Sequence, residues 1–402
     1  MSDKLAVLYI IPRYWPAVGG AELHTRELLK HSEQIDATVA CIAQDSNSLL
    51  EVAVTDEISA ITDEDGPAVV RLRAHGKTRA LLSRLGALVG TTRWVRPLYT
   101  YLLKKALRPQ LERLIERADA VHVIYNGMTG LAELAEDIAR ERQVPFIFTP
   151  LCGEVGVASA WTTPRFKRLY RRAQGVIGLT AFERDWLVKQ GAASERTHII
   201  PVSTLLSNTF DADEFRRTHD LGEAPVLLFL GRHDQLKGVH LLHNALGPVW
   251  ERVPELHVVM MGPEGHVQFE HDHSDDPRLI RISSPSQHDK ASALAACDLL
   301  CVPSLHEGLG VVFLEAWSFE KPVIALDLPV LKEVIGHKEA GLLGRLDGKD
   351  LHEKILLLLN DSTLRHTLGR EGHRRLTTLY HWPALTQRLE ALYTQLVSSR
   401  SR

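Results

Sequence analysis

The sequence predicts an α/β protein made of two doubly wound domains, each built on a parallel sheet. Three observations lead to this prediction: a length of 402 residues, a repeated alternation of short apolar runs with helical stretches, and one polar segment that divides this alternation in two. A chain of this length usually forms about two or three domains. Apolar residues make up 45% of the chain and charged residues 24%, which is ordinary for a globular protein.

The short apolar runs, rich in β-branched residues, are predicted to be strands. Strands that are buried on both faces of a parallel sheet lack polar alternation, and their alternation with helices favours a doubly wound fold. The first series of runs comprises residues 5–11, 38–43, 69–72, 121–125, 145–149, 176–180 and 198–201. The second series comprises residues 225–230, 256–261, 279–283, 299–303 and 322–326.

The polar segment 202–224 has no strand pattern and is predicted to link the two domains. We therefore expect an amino-terminal domain over residues 1–203 and a carboxy-terminal domain over residues 204–382, facing each other across a cleft. A leucine stripe in residues 383–397 predicts an amphipathic helix at the end of the chain. Ligands of such sheets bind outside the carboxyl ends of the strands.

Composition and cysteine usage exclude several classes of protein. The formal net charge of −3 gives the chain no overall attraction to nucleic acid. The four cysteines, Cys41, Cys152, Cys297 and Cys301, form no CxxC pair and are expected to be reduced thiols in the core, as in a cytoplasmic protein. The apolar run 5–11 lacks the features of a signal peptide and is shorter than the about 20 residues of a membrane span.

The first candidate site is Gly19-Gly20, which follows the first predicted strand and precedes a helix predicted to begin near Ala21. Glycines allow the backbone to approach an anion closely, and a helix N-terminus supplies free amides and partial positive charge. The pattern is typical of a phosphate-binding turn, but it also occurs in ordinary strand-to-helix turns.

The second candidate site is Gly231-Arg232 with Lys237-Gly238, directly after the predicted strand 225–230. Two cations at the carboxyl end of a strand can clamp a diphosphate, since unit charges near 4 Å interact by about 4 kcal/mol at an effective dielectric constant near 20. Such a clamp would stabilise the charge that develops on a departing nucleoside diphosphate. The alternative is two solvated loop charges.

The third and most specific candidate is the segment 303–316, which contains Glu307 and Glu315. Gly308 and Gly310 predict a loop around Glu307, and a helix is predicted from Val311 onward, which places Glu315 about one turn inside it. A carboxylate can accept two hydrogen bonds from a vicinal diol, as found in sugars and in ribose. Two glutamates on a helix surface would leave the glycines unexplained.

The order of these motifs resembles family 4 of the retaining glycosyltransferases. The resemblance extends over nearly the whole chain and is strongest over residues 225–343. It implies the GT-B fold, in which two Rossmann-like domains face a cleft, with the terminal residues 383–402 packed back on the first domain. It also implies catalytic roles for Glu307, Arg232 and Lys237. The implied donor-binding set is Gly19, Gly20, Arg232, Lys237, Glu307, Gly308, Leu309, Gly310, Val311 and Glu315.

By the same resemblance, the substrates are a UDP- or GDP-sugar donor and a saccharide or lipid-linked acceptor, used in cell-envelope or polysaccharide synthesis without a further cofactor. Many relatives have a histidine in a Thr-Pro-His context, where this chain has Thr149, Pro150 and Leu151. His122 lies in another predicted strand, near the cleft floor or in the core. The acceptor-contacting residue is therefore open.

No metal site is expected from the sequence. Residues 211–213 and 63–65 match the Asp-x-Asp pattern of metal-dependent transferases, but such short matches arise often by chance, and these fall in the predicted linker and in a polar loop. The histidine-rich stretch 266–273 could hold a transition metal, although a solvated loop is the simpler interpretation.

The segment 71–117 is strongly basic, unlike the chain as a whole. Twelve lysines and arginines against two glutamates leave it with a local charge of +10. The basic residues are Arg71, Arg73, Lys77, Arg79, Arg84, Arg93, Arg96, Lys104, Lys105, Arg108, Arg113 and Arg117. Two interpretations stay open: a peripheral contact with an anionic membrane on the inner face of the cell, or the solvated face of ordinary helices.

Three other functions are compatible with these motifs. An epimerase acting on nucleotide sugars, or a sugar phosphorylase, would share the fold, although the paired cations with Glu315 favour a nucleotide over free phosphate. A sugar-nucleotide-binding module without catalysis is the non-enzymatic alternative, which the absent histidine keeps open.

Overall fold

The computed structural model describes residues 4–17, 19–42, 66–89, 92, 94–125, 127–152, 159–207 and 209–400. The chain divides into two compact units. Unit 1 comprises Met1–Ile200 with Trp382–Arg402, and unit 2 comprises Pro201–His381.

Among the described residues, unit 1 is built on a parallel sheet of seven strands. These are β1 (Leu5–Ile10), β2 (Ile35–Cys41), β3 (Ala68–Arg71), β4 (Ala120–Ile124), β5 (Phe146–Thr149), β6 (Gly175–Gly178) and β7 (Thr197–Ile199). The α-helices between them are α1 (Gly20–Lys30), α2 (Gly76–Val89), α3 (Val95–Ile115), α4 (Thr129–Glu141), α5 (Pro164–Arg172) and α6 (Ala181–Lys189). The strand order is β3-β2-β1-β4-β5-β6-β7, so it reverses between β1 and β4.

Unit 2, over the part of it that the structure describes, is built on a parallel sheet of six strands. These are β8 (Val226–Leu230), β9 (His257–Met261), β10 (Leu279–Ile282), β11 (Leu299–Cys301), β12 (Val323–Leu326) and β13 (Gly341–Gly344). Its α-helices are α7 (Ala212–Thr218), α8 (Val239–Trp250), α9 (Gln287–Ala296), α10 (Val311–Trp317), α11 (Pro329–Val334), α12 (Leu351–Asn360) and α13 (Ser362–Leu379). The order β10-β9-β8-β11-β12-β13 reverses between β8 and β11. The last helix, α14 (Trp382–Arg400), belongs to unit 1.

Each of the twelve predicted strand segments overlaps a strand of the structure, which confirms the two parallel sheets. Buried along their whole length are β4, β5, β6, β8, β11, β12 and β13, as expected for strands covered on both faces. Strand β13 was not predicted from the sequence, because only two apolar residues stand between its terminal glycines. A Cβ at Gly341 would lie 2.7 Å from Val323 O, so this edge of the sheet is packed too closely for a larger residue.

The segment 202–224 is not a simple linker, which corrects the prediction. The structure places α7 within it, and the Asp211 carboxylate caps this helix by accepting the Glu214 N–H at 2.8 Å. The Asp211 N–H donates to Ser292 Oγ at 2.9 Å, which joins the segment to unit 2. Short polar helices of this kind leave little apolar periodicity in the sequence.

A buried polar network joins α14 to the sheet of unit 1. The Tyr393 hydroxyl lies 2.8 Å from the Tyr9 hydroxyl and 2.6 Å from His122 Nδ1. His122 Nε2 in turn lies 2.7 Å from Thr149 Oγ1. Burial lowers the pKa of His122 to about 3, because the charged imidazolium would lose its hydration. The terminal helix is therefore tied to three strands through satisfied polar contacts as well as through its leucines.

We expect Tyr393→Phe to lower the free energy of unfolding by about 1–3 kcal/mol, because it leaves buried polar groups without their partner. Tyr101→Phe is the matched control, since the side chain of Tyr101 is 62% exposed. Urea denaturation measures both variants. A loss for Tyr393→Phe no larger than that of the control would contradict the role of this network.

Candidate active site

The predicted site residues of unit 2 lie where the order of its strands reverses. Strands β8 and β11 are direct neighbours, with Leu227 opposite Leu299 and Leu228 opposite Leu300. The loops that leave their carboxyl ends, 231–238 and 303–310, therefore begin side by side. A reversal point of this kind is where doubly wound sheets leave a crevice for ligands.

The two loops are held together at Gly238. This residue has φ +70°, a left-handed conformation that glycine adopts without strain, and a Cβ there would lie 1.9 Å from Pro303 O. Beside it, the Leu305 N–H donates to Leu236 O at 2.9 Å. The close approach leaves no room for a side chain at position 238 and sets the distance between the two loops.

Lys237 and Glu307 form an ion pair across these loops. Lys237 Nζ lies 2.6 Å from Glu307 Oε1, and the two side chains are 25% and 9% exposed. Charge-assisted hydrogen bonds of this length are among the stronger polar contacts in proteins. The structure thus brings together two of the residues that the sequence assigned to catalysis.

Arg232 is joined to this pair through Asp234, which the sequence analysis did not single out. Arg232 Nη2 lies 3.0 Å from Asp234 Oδ2, and Asp234 Oδ1 accepts the Lys237 N–H at 2.9 Å. The spacing Asp-x-x-Lys is that of a helix cap and could have indicated this role. Since Arg232 is 60% exposed, its guanidinium can reach a ligand without giving up a buried contact.

Helix α10 begins as predicted and positions Glu315. Gly310 precedes it with φ +83°, and a Cβ there would lie 2.5 Å from the Phe313 ring, so the turn needs glycine. Leu309 is 2% exposed, so its side chain packs into the core and only its backbone can serve a ligand. The side chain of Glu315 is 2% exposed and lies 2.7 Å from Lys290 Nζ.

Lys290 is the second residue that the sequence analysis missed. It comes from α9, and no local motif relates it to Glu315, which lies 25 residues further along the chain. The segment 303–316 therefore presents two glutamates, each paired with a lysine from another element: Glu307 with Lys237, and Glu315 with Lys290.

Gly19 and Gly20 belong to unit 1, where they begin α1. The Glu22 carboxylate lies beside Gly19, since a Cβ at Gly19 would lie 2.5 Å from Glu22 Oε2, whereas a Cβ at Gly20 would have no atom within 4 Å. Arg13 Nε lies 3.1 Å from Glu22 Oε1, and the Glu22 side chain is 3% exposed. A carboxylate that is paired with Arg13 thus already lies beside the start of this helix. The contact of Gly19 and Gly20 with a donor stays a prediction.

The remaining candidates have structural explanations or lie outside the described residues. Leu151 follows β5 with φ +47°, and His122 is a core residue rather than a group at a ligand edge. Asp211 is a helix cap, and residues 63–65 lie outside the described part of the chain. Within the ranges that the structure describes, no group of three or more His, Cys, Asp or Glu side chains is placed to hold a metal ion.

We expect Gly238→Ala to destabilise unit 2 by about 2–5 kcal/mol, the combined cost of a left-handed residue and of overpacking against Pro303. Gly222→Ala is the control, because Gly222 also has a left-handed φ of +51° but no atom lies within 4 Å of an added Cβ. This substitution should therefore cost only the backbone term of about 1–2 kcal/mol. Urea denaturation measures the free energy of unfolding of both variants. If the two substitutions lowered it equally, the close approach of the loops would be contradicted.

Two family models match the chain in succession. The model described as Glycosyl transferase 4-like domain matches residues 19–203, and the model described as Glycosyl transferases group 1 matches residues 211–375. The two matches correspond to the two parallel sheets of the structure.

Two curated relatives show modest similarity. The MMP alpha-(1->4)-mannosyltransferase of Mycolicibacterium hassiacum is 26% identical over 68% of this chain and 66% of the relative. The phosphatidyl-myo-inositol mannosyltransferase of Mycobacterium leprae is 28% identical over 57% of this chain and 61% of the relative. The chain spans slightly less than two thirds of the length of these relatives.

Among solved structures, HepE of Anabaena in complex with UDP and glucose matches with a TM-score of 0.68, covering 97% of this chain and 100% of that chain at 16% identity. At this identity the likeness shows the fold alone, and it confirms the predicted GT-B fold of two Rossmann-like sheets. The two family models, which together match residues 19–203 and 211–375, establish that the chain belongs to the family 4 type of glycosyltransferases.

Proposed function

We propose that the protein is a retaining glycosyltransferase that moves a sugar from a UDP- or GDP-sugar to a saccharide or lipid-linked acceptor, in cell-envelope or polysaccharide synthesis. The observation that supports this most is the pair of partly buried lysine–glutamate contacts beside the carboxyl ends of the unit 2 strands. Lys237 Nζ lies 2.6 Å from Glu307, and Lys290 Nζ lies 2.7 Å from Glu315. Family membership and the UDP-bound HepE structure support a nucleotide-sugar donor.

In this proposal, Arg232 and Lys237 bind the donor diphosphate, Glu307 accepts hydrogen bonds from hydroxyls of the transferred sugar, and Glu315 binds the nucleotide ribose. The bond between the anomeric carbon and the phosphate oxygen breaks, and the acceptor oxygen attacks from the same face. The departing phosphate takes the acceptor proton and leaves as the nucleoside diphosphate. Two cations at the diphosphate supply the charge stabilisation, so the proposed reaction is metal-independent.

Glu307→Gln should lower the rate of transfer by about 10²–10³-fold, the usual effect of removing one electrostatic contact to the transition state. The substitution keeps the shape of the side chain but removes the charge that pairs with Lys237. Glu371→Gln is the control, because Glu371 also pairs with a basic residue, Arg374, on the exposed surface of α13.

The assay supplies UDP- and GDP-sugars with a panel of acceptors in the presence of EDTA, and detects products by mass spectrometry and their anomeric configuration by NMR. Turnover of folded Glu307→Gln at the wild-type rate would contradict the assignment. An inverted product would contradict the retaining route, and loss of activity in EDTA that magnesium or manganese restores would contradict metal independence.

The proposed lipid-linked acceptor is supported by two helices of unit 1. On α2, exposed residues recur at helical spacing on one face: Lys77, Leu81, Arg84 and Leu88. The same spacing continues from Trp94, which directly precedes α3, to Leu98, Tyr101 and Lys105 on that helix. We call these eight residues the amphipathic face. Trp94 is 87% exposed and Tyr101 is 62% exposed, which is unusual for aromatic side chains that meet only water. A face of mixed basic and apolar residues suits the surface of an anionic membrane.

The structure also reduces the number of basic residues in segment 71–117 that could contact a membrane. Arg71 donates to Trp15 O, and Arg73, which is 5% exposed, donates to Ile42 O. Lys104 and Arg108 pair with acidic residues of α4, and Arg93 lies outside the described residues. The local charge of +10 is therefore not all presented to solvent, and the amphipathic face is the part proposed to touch a membrane. In the described part of the chain, no helix is long and apolar enough to cross a membrane.

We expect the protein to bind anionic vesicles at low salt and to lose binding at 1 M salt, where screening shortens to about 3 Å. The double variant Arg84→Glu with Lys105→Glu should bind at least about tenfold more weakly, because each basic residue near an anionic surface contributes about 1 kcal/mol. Arg345→Glu with Lys349→Glu is the control, since both residues are exposed in unit 2. The membrane contact would be contradicted if the wild-type protein did not float with the vesicles. It would also be contradicted if the two double variants floated equally well.

A further inference from the structure

Glu315 is a buried carboxylate of unit 2, with 1% of the residue exposed. A carboxylate removed from water is stabilised by an opposite charge and by hydrogen bonds. The structure provides the charge from one side, where Lys290 Nζ lies 2.7 Å from Glu315 Oε1. The orientation of this carboxylate therefore depends on a residue of a different helix.

Lys290 occupies an electrostatically unfavourable position within its own helix. It stands one residue after Asp289, in the amino-terminal turns of α9, where the partial positive charge of the helix disfavours a cation. Its side chain is only 18% exposed, so hydration contributes little to stabilising the ammonium group at this position. The contact with Glu315 accounts for a lysine at this position.

Helix α9 is fixed firmly enough to act as a support for Lys290. Ser286 and Asp289 form a capping box at its start. Ser292 Oγ accepts the Asp211 N–H at 2.9 Å, and Arg216 Nη2 donates to Ala296 O at 2.6 Å. The start, middle and end of the helix are thus each held by polar contacts, which limits the freedom of the lysine.

We propose that Lys290 is a positioning residue that orients the Glu315 carboxylate to accept hydrogen bonds from both hydroxyls of the nucleotide ribose. This inference rests on the proposed function of the same site. A carboxylate has two oxygens with about four lone-pair sites in total. The lysine ammonium, a compact point charge, occupies one of these lone-pair sites. The remaining lone pairs are held in a fixed direction, as recognition of a vicinal diol requires.

Discrimination between ribose and 2′-deoxyribose is the property that this role predicts. When the carboxylate is oriented, loss of the 2′-hydroxyl removes a charge-assisted hydrogen bond and should weaken binding by about tenfold or more. When Lys290 is replaced, the carboxylate is free to turn away, and the ribonucleotide should lose its advantage. A lysine that only stabilises the fold would change the unfolding temperature and leave this ratio unchanged.

The experiment is calorimetric titration of UDP, GDP and their 2′-deoxy analogues into wild-type protein, Lys290→Met, Glu315→Ala and the double variant, with folding checked by thermal unfolding. Methionine keeps the length of the side chain and removes its charge. Lys354→Met is the matched control, because Lys354 is also 18% exposed and pairs with Asp350 at 3.1 Å.

We expect Lys290→Met to bind the preferred ribonucleotide about tenfold more weakly and to bind ribo and deoxy forms almost equally, whereas Lys354→Met behaves as wild type. In the Glu315→Ala background, Lys290→Met should have no further effect, because Lys290 acts through Glu315. A wild-type ratio in folded Lys290→Met, or effects that add in the double variant, would overturn the inference alone. Absence of UDP and GDP binding to wild-type protein would overturn the proposed function together with it.

Discussion

The ion pair between Lys237 and Glu307 is the contact on which the arrangement of the unit 2 site depends. It joins loops that leave two neighbouring parallel strands at the point where the strand order reverses. The pair can form at 2.6 Å because Gly238 allows the backbone of one loop to lie against Pro303 of the other. A larger residue at position 238 would separate the loops and the charges with them.

The same arrangement recurs one turn into helix α10, where Lys290 pairs with Glu315. With Arg232 and Asp234, these residues form three pairs of opposite charge. Pairing lowers the cost of keeping carboxylates away from water, and each carboxylate retains lone pairs that neutral hydroxyl donors can use. Because the six charges balance, we infer that the diphosphate is bound through direct contacts with Arg232 and Lys237 rather than attracted by an excess of positive charge at the site.

The sequence allowed the two sheets and the glutamates of segment 303–316 to be predicted, because both depend on short-range patterns. Apolar β-branched runs mark buried strands, and the glycines around Glu307 mark a loop before a helix. Strand β13 and helix α7 were missed or misread, since a strand flanked by glycines and a short polar helix leave weak periodicity. Lys290 could not be related to Glu315, because a contact between side chains of two helices leaves no spacing rule in the sequence. Likewise, the sequence does not reveal that Arg71 and Arg73 donate hydrogen bonds to backbone carbonyl groups of unit 1 instead of lying free in solvent.

The central claim is that the two lysine–glutamate pairs of unit 2 hold a nucleoside diphosphate. The most direct measurement is a crystal structure of the protein with bound UDP or GDP. The account predicts the ribose hydroxyls within hydrogen-bonding distance of the Glu315 carboxylate, with Lys290 still paired to it, and the diphosphate beside Arg232 and Lys237. A nucleotide bound at another edge of the sheet, or a ribose that does not contact Glu315, would contradict it.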